Sequence, residues 1–487
     1  MTLPGVSISS RTKQPADSIA VKTGTAFFVG TTERGNVGSE TLVRSMADYE
    51  QKCGIRSGFT TMYDAAETFF REGGTRLYIG RVVGPAKVTA TGNLYDQAGS
   101  TAGDVNLVVT AKSPGAWGNS LRVAVIAGNV ASEFKIQTTH ATDTTLNETS
   151  PSLPNPAAAI VWSANSAYIN LALGANTAEN PRVQTAISLT TGADDAASIV
   201  DASWQTALDG LSKLLGPGQV AAPGRTTSVG HSQLLADAVV KNRVALLDFA
   251  DSASASSLQS AALTDRADLN ARYGSGYAPW AVIPGVAGST TRIVPWSAVQ
   301  AGMLARNDAA GVSINQLAAG PFGEPRYVIG LSQVAWTDAE RGLLNDAGVN
   351  VVRTTPQGIR TYGGRSLVNP LTNSLWVDFA NARTYMAIFD QANELLERFV
   401  FRQIDGRGFL FSEVQGALIA LLRQYYDAGA LYGSTPNEAF TVDVGPQVNT
   451  PATIANRELH AVVNLRMSEF AEQVVLEIVK TSITEGV

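Results

Sequence analysis

The chain of 487 residues contains one cysteine, three histidines and few charged residues, and each shortage excludes a class of protein. The single cysteine, Cys53, excludes an internal disulfide framework and a zinc ribbon. His140, His231 and His460 are far apart, and none has another histidine or a cysteine at ligand spacing, so we predict no metal site. Charged residues make up 16% of the chain and the formal net charge is -6, which argues against a nucleic-acid coat or a polybasic membrane binder.

The sequence also lacks a long apolar run. Its most apolar stretches, such as residues 417–422, are far too short to span a bilayer. The first residues, MTLPGVSISS, do not combine a basic segment with an apolar one, so we expect no signal peptide. The expectation is a soluble protein made in a reducing cytoplasm, with no membrane binding by this chain.

No complete catalytic or nucleotide-binding motif is present. Residues 216–221, GPGQVA, match the dinucleotide pattern by letter, but they follow a helical pattern and not a strand, which favours a turn. The P-loop, the G-x-S-x-G elbow and the HExxH motif are all missing. Asp248 and Asp251 end a predicted strand, where doubly wound sheets bind ligands, but the favoured interpretation is that one of them caps the next helix. We therefore expect no enzyme, no catalytic residue and no cofactor.

Two further features have a structural and a functional interpretation. Cys53 precedes a glycine in a predicted turn, and no histidine is near it in sequence to activate the thiol, so we expect it to be inert. The aromatic residues of YGSGYAPW, residues 273–280, could stack on a base or a sugar. No basic residue lies between them, so core packing or a subunit contact is favoured.

A glycine pair lies inside TFFREGGTRLYIGRVV, residues 68–83, between a helical pattern and a strand pattern. Phosphate loops have the opposite order, in which a strand precedes the glycines and a helix follows them. Gly73 and Gly74 therefore predict the end of a helix and a turn. Two capping-box patterns, residues 61–64 and residues 337–340, predict two helix starts.

The patterns divide the chain into five parts. We expect an extended arm over 1–20, an α/β unit over 21–85, a β-rich insertion over 86–195, an α/β middle domain over 196–355, and a C-terminal α+β polymerisation domain with a terminal strand arm over 356–487. The insertion contains alternating runs such as VNLVVTA and AIVWSA and shows no helical period. The predicted fold class is a multidomain α/β and α+β protein, in which α/β core domains carry an inserted β-rich domain and extended terminal arms.

Both ends of the chain have strand patterns with an apolar face. The first lies in the arm and alternates with serines, and the second is QVVLEIVK, residues 473–480, where successive side chains point to opposite faces. Such strands are either covered within the chain or paired with another chain. We predict inter-subunit strand exchange through Val6, Ile8, Val474, Leu476, Ile478 and Val479.

Seven segments form an ordered set along nearly the whole chain: PGVSISS, TAFFVGTTERGNV, FFREGGTRLYIGRVV, AKSPGAWGNSLRVAV, RIVPWSAVQAGMLARND, WTDAERGLLNDAGVNVVR and LRMSEFAEQVVLEIVK. In this order they resemble the tail sheath proteins of contractile bacteriophage tails and tailocins. Ser7, Asn36 and Met467 depart from the residues that are usual in that family at those places.

The resemblance implies a structural subunit that polymerises as stacked, hexameric rings around a tail tube and contracts to drive the tube through the host envelope. It implies that both arms add strands to small sheets in the C-terminal domains of neighbours, with that domain next to the tube and the insertion outside. The implied partners are further copies of the chain, the tail tube protein, and baseplate and tail terminator proteins, but no nucleic acid. The implied location is the virion tail, assembled in the bacterial host cytoplasm.

Two other classes of protein are alternatives. A nucleotide-dependent α/β oxidoreductase would use residues 196–355 and would need a glycine loop after a strand. A secreted adhesin would use the β-rich insertion and would need a secretion signal.

Overall fold

A computed structural model describes residues 22–56, 58–96, 101–286, 290–333 and 336–472. The strands in these ranges are β1 (Ala26–Gly30), β2 (Thr41–Val43), β3 (Leu77–Arg81), β4 (Thr91–Tyr95), β5 (Val105–Ala111), β6 (Leu121–Ala127), β7 (Phe134–His140), β8 (Glu148–Thr149), β9 (Ile169–Leu173), β10 (Gln184–Ser188), β11 (Gln219–Ala221), β12 (Val244–Asp248), β13 (Gly274–Ala278), β14 (Ala281–Ile283), β15 (Arg292–Val294), β16 (Gly330–Leu331), β17 (Val349–Thr355), β18 (Gly358–Thr361), β19 (Phe440–Asp443) and β20 (Val462–Leu465). The helices are α1 (Met46–Cys53), α2 (Thr60–Arg71), α3 (Pro156–Asn165), α4 (Asp201–Asp209), α5 (Ser228–Lys241), α6 (Ala255–Asp265), α7 (Trp296–Ala309), α8 (Asp338–Asp346), α9 (Phe379–Glu397), α10 (Phe409–Asp427), α11 (Pro436–Ala439) and α12 (Pro451–Ala455).

The main sheet has eight strands in the order β18-β17-β13-β12-β11-β1-β3-β2. The six central strands are parallel, and β18 and β2 pair antiparallel at the two edges. Helices cover both faces: Gly30 of β1 lies against Met62 of α2, and Gly80 of β3 lies against Ala207 of α4. Strands buried on both faces are apolar throughout, as the buried sequence AFFVG of β1 shows. The segments 21–85 and 196–355 therefore share one sheet and one core.

The glycine pair after α2 ends a helix, as predicted. Gly73 has a φ of 108°, and its amide donates to the carbonyl of Phe70 at 3.1 Å, while the amide of Gly74 donates to that of Phe69 at 2.9 Å. Residues 216–218 likewise form a turn, because Gly216 ends a short 3-10 helix and the chain then enters β11. Neither segment has the strand-glycine-helix order of a phosphate loop.

The insertion folds into two antiparallel sheets, β4-β5-β9 and β10-β6-β7-β8, which enclose a separate apolar core. One prediction here is wrong: AIVWSA belongs to α3 and is not a strand. The side chain of Asn155 caps α3 by accepting from the amide of Ala158, and Pro156 occupies its first turn. Three consecutive alanines then favour the helix more strongly than the apolar run favours a strand.

The two predicted capping boxes have different outcomes. The box at α8 is confirmed, because the Thr337 hydroxyl accepts from the Glu340 amide and the Glu340 carboxylate accepts from the Thr337 amide. The box over 61–64 is wrong, because α2 starts at Thr60, two residues before the start that the box predicts, and has no side-chain cap. The Asp64 carboxylate instead accepts from Arg56 and Arg292, each at 2.7 Å.

The C-terminal part consists of α9, α10, α11 and the antiparallel pair β19–β20 around a third apolar core. The sequence also predicts strands in FTVDVG, residues 440–445, and ELHAVVNLRM, residues 458–467, and they are confirmed as β19 and β20. The third predicted strand, residues 473–480, lies outside the described residues. The main sheet, the separate small antiparallel sheets and this helical part together confirm the predicted mixed α/β and α+β class.

Candidate assembly surface

Asp248, at the end of a central strand, is a structural residue. It is buried, and its carboxylate accepts from the amide and the hydroxyl of Ser297 at 2.8 and 2.5 Å, so it caps the start of α7. Burial raises the pKa of Asp248. The prediction that Asp248 or Asp251 caps the next helix is wrong, because Ser254 caps α6 and Asp251 accepts from Ser332. That prediction counted only local partners, whereas β12 ends beside a helix much later in the chain.

The side chains of His231 and Cys53 are also buried in contact with other groups of the protein. His231 lies in the first turn of α5, as predicted, with Nδ1 at 2.6 Å from Asp265 and Nε2 at 3.1 Å from the carbonyl of Asp248. Cys53 is buried, and burial raises the pKa of its thiol to about 12, so the thiolate is scarce at neutral pH. Across the described ranges, no group of three or more His, Cys, Asp or Glu side chains is arranged to hold a metal ion.

The aromatic cluster over 273–280 packs in the core, as the favoured interpretation predicted. Tyr273 and Tyr277 are buried, and the indole of Trp280 donates to the carbonyl of Phe249 at 2.8 Å. Separately, none of the helices in the part of the chain that the structure describes is both long and apolar enough to cross a membrane.

Within the described residues, the pair β19–β20 leaves one strand edge unpaired. Arg466 donates its amide to the carbonyl of Ala439 at 2.8 Å, in the register that also pairs Phe440 with Leu465 and Val442 with Val463. Since bonded and non-bonded pairs alternate in an antiparallel ladder, the last two pairs are non-bonded. The peptide groups of Val463 and Leu465 therefore point away from β19. No further strand pairs with this side of β20 within the described ranges; we call it the open edge of β20.

The open edge lies beside an incompletely covered core. The opposite edge, that of β19, is partly used, because the carbonyl of Val442 accepts from Gln415 of α10 at 2.8 Å. Val463 and Leu465 are only partly buried. Other partly buried apolar side chains that pack on the same core are Leu395, Leu396, Phe399, Ile404, Phe411, Tyr426, Leu459, Ala461 and Met467. A strand added at this edge would satisfy free peptide groups and cover apolar surface together.

The residues predicted for strand exchange, Val6, Ile8, Val474, Leu476, Ile478 and Val479, all lie outside the described residues. The described chain begins on the core: the hydroxyl of Thr23 donates to Asp308 at 2.7 Å, and Asp308 pairs with Arg383 of α9 at 2.8 Å. It ends with Glu472, which pairs with Arg365 at 2.5 Å. The strand-exchange prediction therefore stays a prediction, and the structure adds a candidate acceptor for it in the open edge of β20.

A second exposed surface lies along α9. Trp376, Tyr385 and Phe389 form a row with ring centroids 5.6 and 6.3 Å apart, and half of Phe389 is exposed. Beyond the end of α9, Phe401 is fully exposed. Exposed apolar side chains in a group are typical of interaction surfaces. The sequence does not identify these residues as exposed, because a helical period shows that a helix has two faces without showing which one the fold leaves uncovered.

A buried arginine clamps the insertion to the core. Arg81, at the end of β3, donates to Asp194 at 2.6 Å and to the carbonyl of Pro114 at 2.8 Å, both in the insertion, and to the carbonyl of Thr32 at 3.2 Å in the core. Burial lowers the pKa of Arg81, and the charge of Asp194 opposes that effect. Nothing in the sequence indicated this clamp, because its partners come from distant segments.

Comparison with known proteins finds several solved structures that share this fold. A search against protein-family models gives no match, and neither does a search of curated proteins. The structure is similar to the sheath tail protein from Listeria innocua (TM-score 0.63, 14% identity, 88% of this chain and 90% of that one). It is also similar to the sheath tail protein from Desulfitobacterium hafniense (TM-score 0.59, 15% identity, 90% and 93%). A third similar structure is the anti-feeding prophage helical sheath in its contracted state (TM-score 0.55, 16% identity, 99% and 100%).

Proposed function

We propose that the chain, which matches contractile sheath proteins in structure over nearly its full length, is the structural subunit of a contractile sheath. Copies of it polymerise as stacked hexameric rings around a tail tube, and contraction drives the tube through the envelope of a target cell. The partners are further copies of the chain, the tube protein, and baseplate and terminator proteins. The location is the tail of a phage or phage-like particle, and the chain has no enzymatic activity. The full-length structural likeness supports this class of function.

The observation that carries the proposal is the open edge of β20. An edge strand with free peptide groups and half-buried side chains is a site for strand addition from another chain. We propose that the terminal segments with Val6 and Ile8, and with Val474, Leu476, Ile478 and Val479, supply such strands between subunits. An added strand of about five residues makes several main-chain hydrogen bonds, each worth roughly 1 kcal/mol net. Repetition through a lattice makes such weak links strong together.

Strand addition also suits contraction. A strand linked to its own domain by an extended segment stays bonded while the domains rotate as rigid bodies, because the segment absorbs the movement. The energy for contraction then resides in a metastable assembly, so no nucleotide is consumed. In this arrangement the C-terminal part lies next to the tube and the insertion lies outside.

Deletion of residues 1–18 tests strand exchange from the donor side. The expected product is a folded monomer that does not form long hollow cylinders in electron micrographs. A proline at Leu476 or Ile478 is expected to do the same wherever that amide bonds to an added strand. If the truncated protein still builds long cylinders, strand exchange by the first segment does not hold the assembly together.

Val463→Pro tests the acceptor side. The amide of Val463 points away from β19, so proline removes a donor of the open edge and leaves the β19–β20 ladder bonded. We expect folded protein without cylinders. Val463→Ala is the matched control, because it shortens the same side chain and keeps the amide, and it is expected to polymerise. Cylinders formed equally by both variants would contradict the assignment of this edge.

The insertion is proposed to be dispensable for polymerisation. Its ends meet at the core, where the amide of Gly84 donates to the carbonyl of Asp194 at 2.9 Å and Val88 bridges to Ala193. A short Gly/Ser linker can therefore replace residues 86–195. The expected variant folds and forms cylinders of smaller diameter. Loss of polymers with the remaining sheet still folded would show that the insertion takes part in assembly.

A further inference from the structure

The last described residues, 466–472, are fastened to the C-terminal part by backbone bonds; we call them the docked segment. The carbonyl of Arg466 accepts from the amide of Tyr432 at 2.9 Å, and the amide of Ser468 donates to the carbonyl of Ala430 at 3.1 Å. Met467 bridges to Leu431 between these two bonds. Beyond Ser468 the described contacts with the core are made by Glu469, Phe470 and Glu472.

The end of the docked segment is held by an arginine fork. Arg365 donates to both carboxylate oxygens of Glu472, from Nε at 2.9 Å and from Nη2 at 2.5 Å. The same guanidinium donates to Asp346 of α8 at 3.4 Å. Hydrogen bonding to Arg365 lowers the pKa of Glu472, so this ion pair persists into mildly acidic solution.

A buried carboxyl group faces the same segment. Asp378 is the N-cap residue of α9, a position where aspartate ordinarily accepts from the first turn of the helix, yet its side chain makes no cap bond. It contacts the carboxyl of Glu469 and the amide of Phe470 instead. It is only 5% exposed, its backbone bridges to that of Arg365, and the charges of Glu469 and Glu472 act on its carboxyl group. Burial first, and then the charges of Glu469 and Glu472, raise the pKa of Asp378 to about 7.

We propose that Asp378 is a proton-controlled latch: the docked segment stays on the core while this carboxyl group is protonated and is released when it ionises. In the protonated form the hydroxyl of Asp378 donates to Glu469, which joins two carboxyl groups through one hydrogen. In the ionised form the carboxylates of Asp378, Glu469 and Glu472 lie close together, and the nearby cation, Arg365, is already paired with Glu472 and Asp346. The excess negative charge then opposes docking.

The direction in which docking changes with pH follows from the two states of Asp378. Its pKa is raised while the segment is docked and returns towards its ordinary value when the segment leaves and water reaches the carboxyl. Docking therefore weakens as the pH rises through about 7. At the acidic limit protonation of Glu472 breaks the pair with Arg365, so docking is strongest in mildly acidic solution. The latch itself does not depend on the proposed function, but the docked segment leads directly to residues 473–487, which include four of the six proposed strand-exchange residues.

Amide hydrogen exchange of the purified full-length chain tests the latch. The peptide covering the docked segment is followed between pH 5.5 and 8.5, and its rates are corrected for the intrinsic pH dependence of exchange. We expect wild-type protection of this peptide to fall at least tenfold between pH 6 and pH 8. Asp378→Asn, whose amide donates to Glu469 without a charge, is expected to keep the protection at both values. A peptide from β12 in the main core reports global folding.

The proposal is overturned if wild-type protection does not change with pH, or if Asp378→Asn shows the same change. If the β12 peptide shows that Asp378→Asn does not fold, the variant Glu469→Gln is used to test the latch instead. It removes one repelling charge at an exposed position and is expected to reduce the loss of protection severalfold, so an undiminished loss contradicts the latch. Polymerisation is not measured here, so failure of the latch and failure of the sheath assignment give different results.

Discussion

Replacement of Arg81 by methionine keeps a long side chain at the junction of the core and the insertion but removes all of its N–H donors. In the native protein these donors reach the carbonyls of Thr32, Glu33, Gly35 and Pro114 and the carboxylate of Asp194, over distances from 2.6 to 3.2 Å. The Arg81 side chain is 1% exposed and that of Asp194 13%. The substitution therefore leaves a nearly buried carboxylate without its arginine.

The size of the effect follows from that burial. Removal of one partner of a buried ion pair costs about 3–5 kcal/mol, because the remaining charge is desolvated and unpaired. The main-chain carbonyls that lose a charged donor add to the cost, while water that enters the junction reduces it. We expect Arg81→Met to lower the free energy of unfolding by about 3–5 kcal/mol. The hydrogen-bond partners of Arg81 lie where the insertion meets the sheet, so the loss is concentrated there.

Two measurements test this expectation. Chemical denaturation gives the change in stability, and hydrogen exchange of peptides over 84–90 and 190–195 shows where the structure has loosened. Arg122→Met is the matched control, because Arg122 is an exposed arginine of β6 in the insertion. It is expected to change stability by less than about 0.5 kcal/mol. If Arg81→Met lies within about 1 kcal/mol of the wild type, or loosens the insertion core before the junction, the clamp does not hold the insertion as described.

Three further outcomes are expected. Cys53 at pH 8 reacts with a thiol reagent at least about a thousandfold more slowly in the folded than in the unfolded protein, since its pKa is about 12 when folded; equal rates would contradict its burial. Thr337→Ala removes the cap of α8 and costs about 1 kcal/mol in thermal or chemical unfolding, and an unchanged stability would show that the Glu340 carboxylate caps that helix alone. Glu72→Ala costs about 3–5 kcal/mol, because Glu72 is fully buried and pairs with an arginine of α7, whereas the exposed Glu397→Ala is nearly neutral; similar costs for both would refute the buried pair.

The sequence predicted those features whose partners are close along the chain. Thr337 and Glu340 are three residues apart, and Gly73 follows its helix directly, so local chemistry decided both outcomes. The same capping pattern failed at Asp64, because Arg292, more than two hundred residues away, takes that carboxylate. The strand AIVWSA failed for a local reason, since the alanines and the proline before it favour a helix more strongly than the apolar run favours a strand.

The candidate site was predictable only in part. Alternation of apolar and polar residues located β19 and β20, but the side of β20 that stays open depends on the register with β19. The clamp of Arg81 on Asp194 and the contact of Asp378 with Glu469 join residues about a hundred positions apart. Neither pair forms a motif, because the fold alone brings them together.

The pairing of β1 with β11 has a consequence for the order in which the chain folds during synthesis. Ala26 lies opposite Gln219, so the strand that completes one side of β1 is made roughly 190 residues later, which takes on the order of 10–40 s. The insertion lies between them, and its strands pair with partners from the same 86–195 stretch. It can therefore fold as soon as it leaves the ribosome, while the apolar strand β1 waits for its neighbour. The apolar strand β1 has an unpaired edge during that interval, which exposes the nascent chain to aggregation, and a faster supply of β11 would shorten the interval.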